Sequence, residues 1–288
     1  MKIIPEFYES EIFESYVAFH EGVRLRLGQY HEAFFEHFPQ INRGRLLDVG
    51  CGDGVFLKHA KQAGFEVWGI DFDRKSVEVA RKALNTDTIY AMSLEEFYEY
   101  AKKKKLKFDV ITFFEVLEHQ DKPGEFLKMV KELLKERGYI AGSVPNRERL
   151  FVKEVDWKYF HSDYPPHHFL RFSKESLEKA LKLSSFSEVN VRRLDFPFKE
   201  LFPYLEKKLL GNLDVLKFKI KASVVGSERR ARVYAVEDLD KVSEKKVFAT
   251  VLKALKLGRN LALLPFTLLY LGKLKGSGTH LYFQAKKS

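Results

Sequence analysis

The 288-residue chain has one cysteine, Cys51, so it cannot form an intramolecular disulfide. That scarcity predicts a reducing, intracellular setting, cytoplasmic by default, with a membrane-peripheral location left open by the last third of the chain. No run of about 18 apolar residues occurs, so the sequence offers no obvious spanning helix. Met1-Lys2-Ile3-Ile4-Pro5-Glu6 lacks the apolar run of a signal peptide, and Glu9, Glu11 and Glu14 follow closely. No internal repeat is visible. Excess charge is missing from most of the chain as well. Residues 1–198 hold 31 Lys and Arg against 32 Asp and Glu, whereas residues 199–288 hold 19 against 8. The formal net charge of +10 thus belongs to the last third, unlike the pattern of a uniformly basic nucleic-acid binder.

What is present suffices for a sizeable core: 45% of residues are hydrophobic, with 26 Phe among them. Ile12, Phe13, Tyr16, Phe19 and then Tyr30, Phe34, Phe35 and Phe38 recur at helical spacing, which predicts an N-terminal helical cap over residues 1–40. From Arg45 the pattern alternates. Short apolar runs at Leu46–Val49, Glu66–Asp71, Thr88–Ala91, Phe108–Phe114 and Tyr139–Val144 read as strands. Amphipathic segments at Val55–Ala63, Arg74–Leu84, from Ser93, Gly124–Arg137 and Lys174–Leu183 read as helices, with Gly64 and Gly138 as stops. Ser93 with Glu96 is a capping box. A further strand is expected near Glu188–Phe196. The predicted class is α/β, a Rossmann-like, mostly parallel sheet with helices on both faces. The sheet domain spans 41–196, a basic, apolar helical insertion spans 197–278, and residues 279–288 supply the last strand, which closes the sheet.

The segment Leu46-Leu47-Asp48-Val49-Gly50-Cys51-Gly52-Asp53-Gly54 runs from strand through glycines into a helix. Glycine is needed where a backbone turns sharply or touches a ligand. Gly50 and Gly52 match a dinucleotide fingerprint, but Val55 stands at its third position and Gly54 is glycine instead. Asp71 ends the second strand, where an acid meets ribose hydroxyls in such sheets. Together these features resemble the first two motifs of class I S-adenosylmethionine-dependent methyltransferases, over roughly Arg45 to Val144. The resemblance implies that Gly50, Gly52 and Gly54 approach the methionine part of S-adenosylmethionine. It further implies that Asp48 contacts that part directly or through water, that Asp71 binds the ribose, and that Ser93 and Leu94 lie beside the adenine.

The fourth strand runs into Glu115-Val116-Leu117-Glu118-His119. Ligands in open parallel sheets lie beyond the carboxyl ends of strands, so these residues are expected near the transferred methyl group. His119 and Glu115 are the candidate catalytic residues, because a hydroxyl acceptor needs a base. Helical spacing places Glu115 near both Glu118 and His119, and two carboxylates with an imidazole suit a divalent ion such as magnesium. This E-x-x-E-H resembles a motif of quinone-biosynthesis and small-RNA ribose O-methyltransferases, where it is associated with a divalent metal. In the RNA group a further histidine completes the set, and either His167 or His168 could supply it. The same residues also suit a pocket without metal, with Glu and His capping the next helix.

In the last third, Lys245–Leu257 has the pattern of a basic amphipathic helix, and Leu261–Leu271 is nearly all apolar. Residues 245–272 therefore suit peripheral contact with an anionic membrane, or else a helical lid with solvated lysines. The leading expectation is O-methylation of a small-molecule or lipid-linked acceptor. Ribose 2′-O-methylation of RNA is an alternative, weakened because no RNA-binding module is recognisable and nucleic acid is not an expected partner. A non-catalytic cofactor-binding or membrane-associated protein is the other.

Overall fold

The structure, a computed structural model, describes residues 27–41, 43–150, 165, 168–210 and 246–288. The chain divides into two compact units. The larger is built on seven strands: β1 Arg45–Val49, β2 Glu66–Asp71, β3 Ile89–Ala91, β4 Phe108–Phe114, β5 Leu134–Pro145, β6 Phe186–Arg193 and β7 His280–Lys287. Their spatial order is β3-β2-β1-β4-β5-β7-β6. The first five are parallel, and β7 runs antiparallel to both β5 and β6. The last strand joins the sheet, as the sequence suggested. It slots between β5 and β6, and β6 forms the edge.

Successive residues of the central strands are buried on opposite faces, as expected for a sheet covered on both sides. Leu46 and Val110 pack with Phe34, Phe56, Leu57 and Val77, which come from α1 Gln29–His37, α2 Val55–Gln62 and α3 Arg74–Leu84. Leu47 and Ile111 pack with Phe97, Phe126, Val130 and Leu177, from α4 Leu94–Lys104, α5 Pro123–Leu133 and α6 Lys174–Leu183. Each fully buried leucine contributes about 1.5–3 kcal/mol of transfer free energy. Local signals set the helix starts. Asp73 accepts from the Lys75 and Ser76 amides ahead of α3, and Ser93 and Glu96 form the expected capping box on α4.

Two boundaries differ from the sequence reading. α5 ends at Leu133 rather than Arg137, because Leu134 already pairs with Phe108 and Arg137 takes a left-handed φ of 62°. β6 begins and ends earlier than expected, with Ser185 and Glu188 at positive φ and a register shift between Ser187 and Asn190. The smaller unit contains α7 Phe198–Leu210 and α8 Lys246–Tyr270, with a small core of Phe196, Leu201, Leu205 and Leu263. It runs from Phe196 to Lys275 and takes in Leu150. Gly276–Gly278, placed by the sequence in the insertion, belong with the sheet: the Gly278 amide donates to the Leu194 carbonyl, and its own carbonyl accepts from Asn146 Nδ2. Residues 1–26 of the expected cap lie outside the described residues.

Candidate cofactor and acceptor site

β1 delivers the chain to a loop in which Gly50, Gly52 and Gly54 all have left-handed φ, at 77°, 51° and 77°. Two of the three also have no room for a side chain. A Cβ on Gly50 would sit 2.7 Å from Val116 Cγ2, and one on Gly54 2.7 Å from Leu84 Cδ1. The amides of Gly50 and Cys51 donate to the Ile70 carbonyl, so the loop is folded back on the end of β2. Asp71, the last residue of β2, completes the tie. Its Oδ2 accepts from the Gly52 amide and its Oδ1 from the Asp73 amide, each at 2.9 Å.

Asp71 is buried, and burial pushes its carboxyl from 3.8 up to about 6. The Asp73 and Gly52 amides pull it back only in part, and the Asp73 charge adds to the rise. Asp48 and Asp53 are buried beside it, and Asp48 Oδ1 accepts from Thr112 Oγ1 of β4 at 2.7 Å. The buried Cys51 thiol is pushed well up, first by burial and then by Asp71 and Asp48. The loop is thus a negative, Cβ-poor cradle at the carboxyl end of the sheet. Of the two residues expected beside an adenine, Ser93 caps α4 next to the end of β3, whereas Leu94 is buried in the core on that face.

Beyond β4 the chain turns sharply: Glu115 adopts φ 55°, and Leu117–His119 forms one 3-10 turn. A non-glycine residue at positive φ stores strain of order 1–3 kcal/mol, a cost that clusters at functional sites. The turn separates residues that the sequence placed together. Glu118, His119 and His168 converge, with one ligating atom from each within 4.8 Å of the others. His168 arrives there because the amides of Phe169 and Leu170 both donate to the Glu118 carbonyl. Glu118 is fully buried and His119 is 22% exposed. His167 lies outside the described residues.

Glu115 turns to a different set. Its Oε1 accepts from Ser143 Oγ at 2.6 Å, and its Oε2 lies 3.4 Å from His280 Nε2. Burial alone would raise its pKa, but His280, the Ser143 hydroxyl and His168 outweigh that and hold it below the ordinary carboxylate range. His280 Nδ1 is 2.8 Å from Thr279 Oγ1, and the Tyr30 ring of α1 packs on the imidazole at 5.0 Å. Sequence reasoning missed His280, Ser143, Thr279 and Tyr30. The available signal was topological: an antiparallel last strand must begin where its parallel neighbours end, and Pro145 indeed pairs with His280.

Comparison with known proteins shows the family. A family model described as "Methyltransferase domain" matches residues 19–189. A ubiquinone biosynthesis O-methyltransferase of Proteus mirabilis is 29% identical over 177 residues, covering 59% of this chain and 71% of that protein. The same-named protein of Hydrogenovibrio crunogenus is 30% identical over 127 residues, 44% of this chain and 53% of that protein. The chain thus spans about half the length of that relative. Among solved structures, an S-adenosylmethionine-dependent methyltransferase from Archaeoglobus fulgidus superposes with a TM-score of 0.54 at 18% identity, covering 94% of this chain and 99% of that one. Haemonchus contortus phosphoethanolamine N-methyltransferase 2 gives 0.56 at 15%, covering 99% and 60%. At such identities these two show the fold alone.

Proposed function

The chain belongs to the class I S-adenosylmethionine-dependent methyltransferases, and from that premise we propose that it methylates a hydroxyl oxygen of a small-molecule or lipid-linked acceptor. The observation that carries the reading is the cradle of Gly50, Gly52 and Gly54 held by buried Asp71 beside buried Asp48 and Asp53. Buried carboxylates are costly unless they meet cations or hydrogen-bond donors. S-adenosylmethionine offers an ammonium, a sulfonium and a ribose diol, which complement the cradle's negative charge.

In this reading Asp71 accepts from both ribose hydroxyls, which requires its ionised form. Gly50 and Gly52 let the backbone approach the methionine part, Asp48 faces that part directly or through water, and Ser93 lies beside the adenine. The sulfonium supplies an electrophilic methyl group on a good leaving group. The protein's task is then to align the acceptor, exclude water and take the acceptor's proton. His119 and the Glu115–His280 pair both lie just beyond β4 and supply candidate bases. His280 would receive the proton on an imidazole nitrogen, with Glu115 stabilising the imidazolium that forms.

Glu118, His119 and His168 would hold a divalent ion if the protein uses one. Two imidazoles and one carboxylate suit a first-row transition ion, and magnesium, which prefers oxygen ligands, fits them poorly. Such an ion would lower the pKa of a bound hydroxyl. The names of the Proteus and Hydrogenovibrio relatives, both ubiquinone biosynthesis O-methyltransferases, favour an oxygen of a small-molecule acceptor over RNA. An acceptor carried on a long apolar chain would place the enzyme at a membrane surface. The test is transfer of a labelled methyl group from S-adenosylmethionine to a panel of phenols, catechols, amines and RNA. An O-methyl ether on a phenol or catechol supports the proposal, and labelling of the amines or RNA alone contradicts it.

A further inference from the structure

The smaller unit carries an exposed apolar surface. From Leu257 onward, α8 buries Leu263 and Thr267 and half-buries Asn260 and Tyr270. Leu263 packs on Leu201 and Leu205 of α7, with Tyr270 against the same cluster. From Leu257 onward the other described side chains of the helix are exposed. Leu257, Leu261, Leu264 and Leu268 recur at alternating four- and three-residue intervals and form one stripe, which Leu271 extends past the helix end. These five leucines are between 45% and 62% exposed, and Leu269 beside them is 71% exposed. Residues 260–272 carry no charge at all. A monomeric soluble protein rarely presents so continuous an apolar face without a partner for it.

The charges on either side select the partner. Between Lys246 and Lys275 the sequence has six Lys and Arg and no Asp or Glu. A second copy of this chain would bring those cations together, and a solvated helix would not expose leucines between them. An anionic bilayer satisfies both features, taking leucine side chains into its acyl boundary and lysines among its headgroups. The uncharged segment is also the wrong length to cross. At 1.5 Å per residue it reaches roughly 20 Å, against about 30 Å for the hydrocarbon core. Among the described residues no helix is long and apolar enough to cross a membrane.

We propose that the C-terminal half of α8 lies in the plane of an anionic lipid surface. Leu257, Leu261, Leu264, Leu268 and Leu271 enter the acyl boundary, and exposed Lys273 and Lys275 contact headgroup phosphates. Leu263 and Thr267 keep the helix seated on α7. This goes beyond the proposed methyl transfer and stands independently of it, because every residue named lies in the smaller unit.

The experiment is flotation of the full chain with vesicles of phosphatidylcholine alone and of phosphatidylcholine with phosphatidylglycerol, at low and high salt. The wild type is expected to bind the anionic vesicles, less so as salt rises. Leu261→Ser with Leu268→Ser should weaken that binding on the order of 10-fold per leucine. Lys273→Glu with Lys275→Glu should remove the preference for anionic lipid. Circular dichroism and cooperative urea unfolding, measured in parallel, report that each variant is folded. Wild-type protein that stays with the aqueous fraction overturns the proposal, as does equal vesicle binding by the leucine variant. Size-exclusion chromatography showing a wild-type dimer that the leucine variant splits, without vesicle binding, would assign the stripe to a second copy instead.

Discussion

Asp71 makes the cradle's electrostatics measurable through pH. In the native protein its carboxyl titrates at about 6, against 3.8 for the ordinary group, chiefly because it is buried. A rise of roughly 2 units costs the ionised native state about 3 kcal/mol. The native state therefore holds the proton more tightly than the unfolded chain. Its contribution to stability is fully present below pH 3.8 and is lost as pH rises through about 6. Asp71→Asn removes this titration while keeping the side chain's shape. In the empty protein, the unfolding free energy of wild type minus that of Asp71→Asn should fall by about 2.4 kcal/mol between pH 4 and 7. Cofactor binding should show the opposite trend, because ribose hydroxyls need the ionised acceptor. At pH 5 about a tenth of the carboxyl is ionised, so wild-type affinity for S-adenosylhomocysteine should be roughly 10-fold weaker than at pH 8. Other groups titrate in this range, and subtracting the Asp71→Asn curve isolates this one. Urea unfolding and calorimetry at matched pH values provide both measurements. Parallel pH profiles for the two proteins would refute the reasoning.

Gly54→Ala forces a left-handed residue and sets its Cβ 2.7 Å from Leu84 Cδ1 and 2.9 Å from Ala80 Cβ. Strain and overpacking together should cost roughly 2–4 kcal/mol in denaturant unfolding, and a cost near zero would show that the loop can relax. His280→Ala and Glu115→Gln are expected to lower kcat on the order of 100-fold while leaving the KM for S-adenosylmethionine nearly unchanged, if the pair takes the acceptor's proton. An unaltered kcat in both variants would leave His119 as the base.

The core of the architecture could be read directly because its signals are local. Alternation of apolar runs with amphipathic segments marks β1 to β5, and Ser93 with Glu96 marks the start of α4. The misplaced end of α5 shows where local signals compete. Lys135-Glu136-Arg137-Gly138 has the composition of a last helical turn and its stop, yet pairing of Leu134 with Phe108 begins the strand first. The glycine cradle and Asp71 were legible for the same reason as the fold, since strand, turn and acid lie within one βαβ unit. The turn beyond β4 was only half legible. Helical spacing suggested that Glu115 joins Glu118 and His119, but positive φ at Glu115 turns its side chain to Ser143 and His280. His280 lies at the far end of the sequence and reaches β4 only through the antiparallel placement of β7 beside β5. No local pattern encodes that contact.

The most direct test of the central claim is calorimetric titration of S-adenosylhomocysteine into the purified protein at pH 8, beside Asp71→Ala. Micromolar binding by the wild type, lost or weakened at least 100-fold in a variant that unfolds cooperatively, is the predicted result. A folded wild type that binds nothing, or a variant that binds as tightly as the wild type, would contradict the assignment of this cradle to the cofactor.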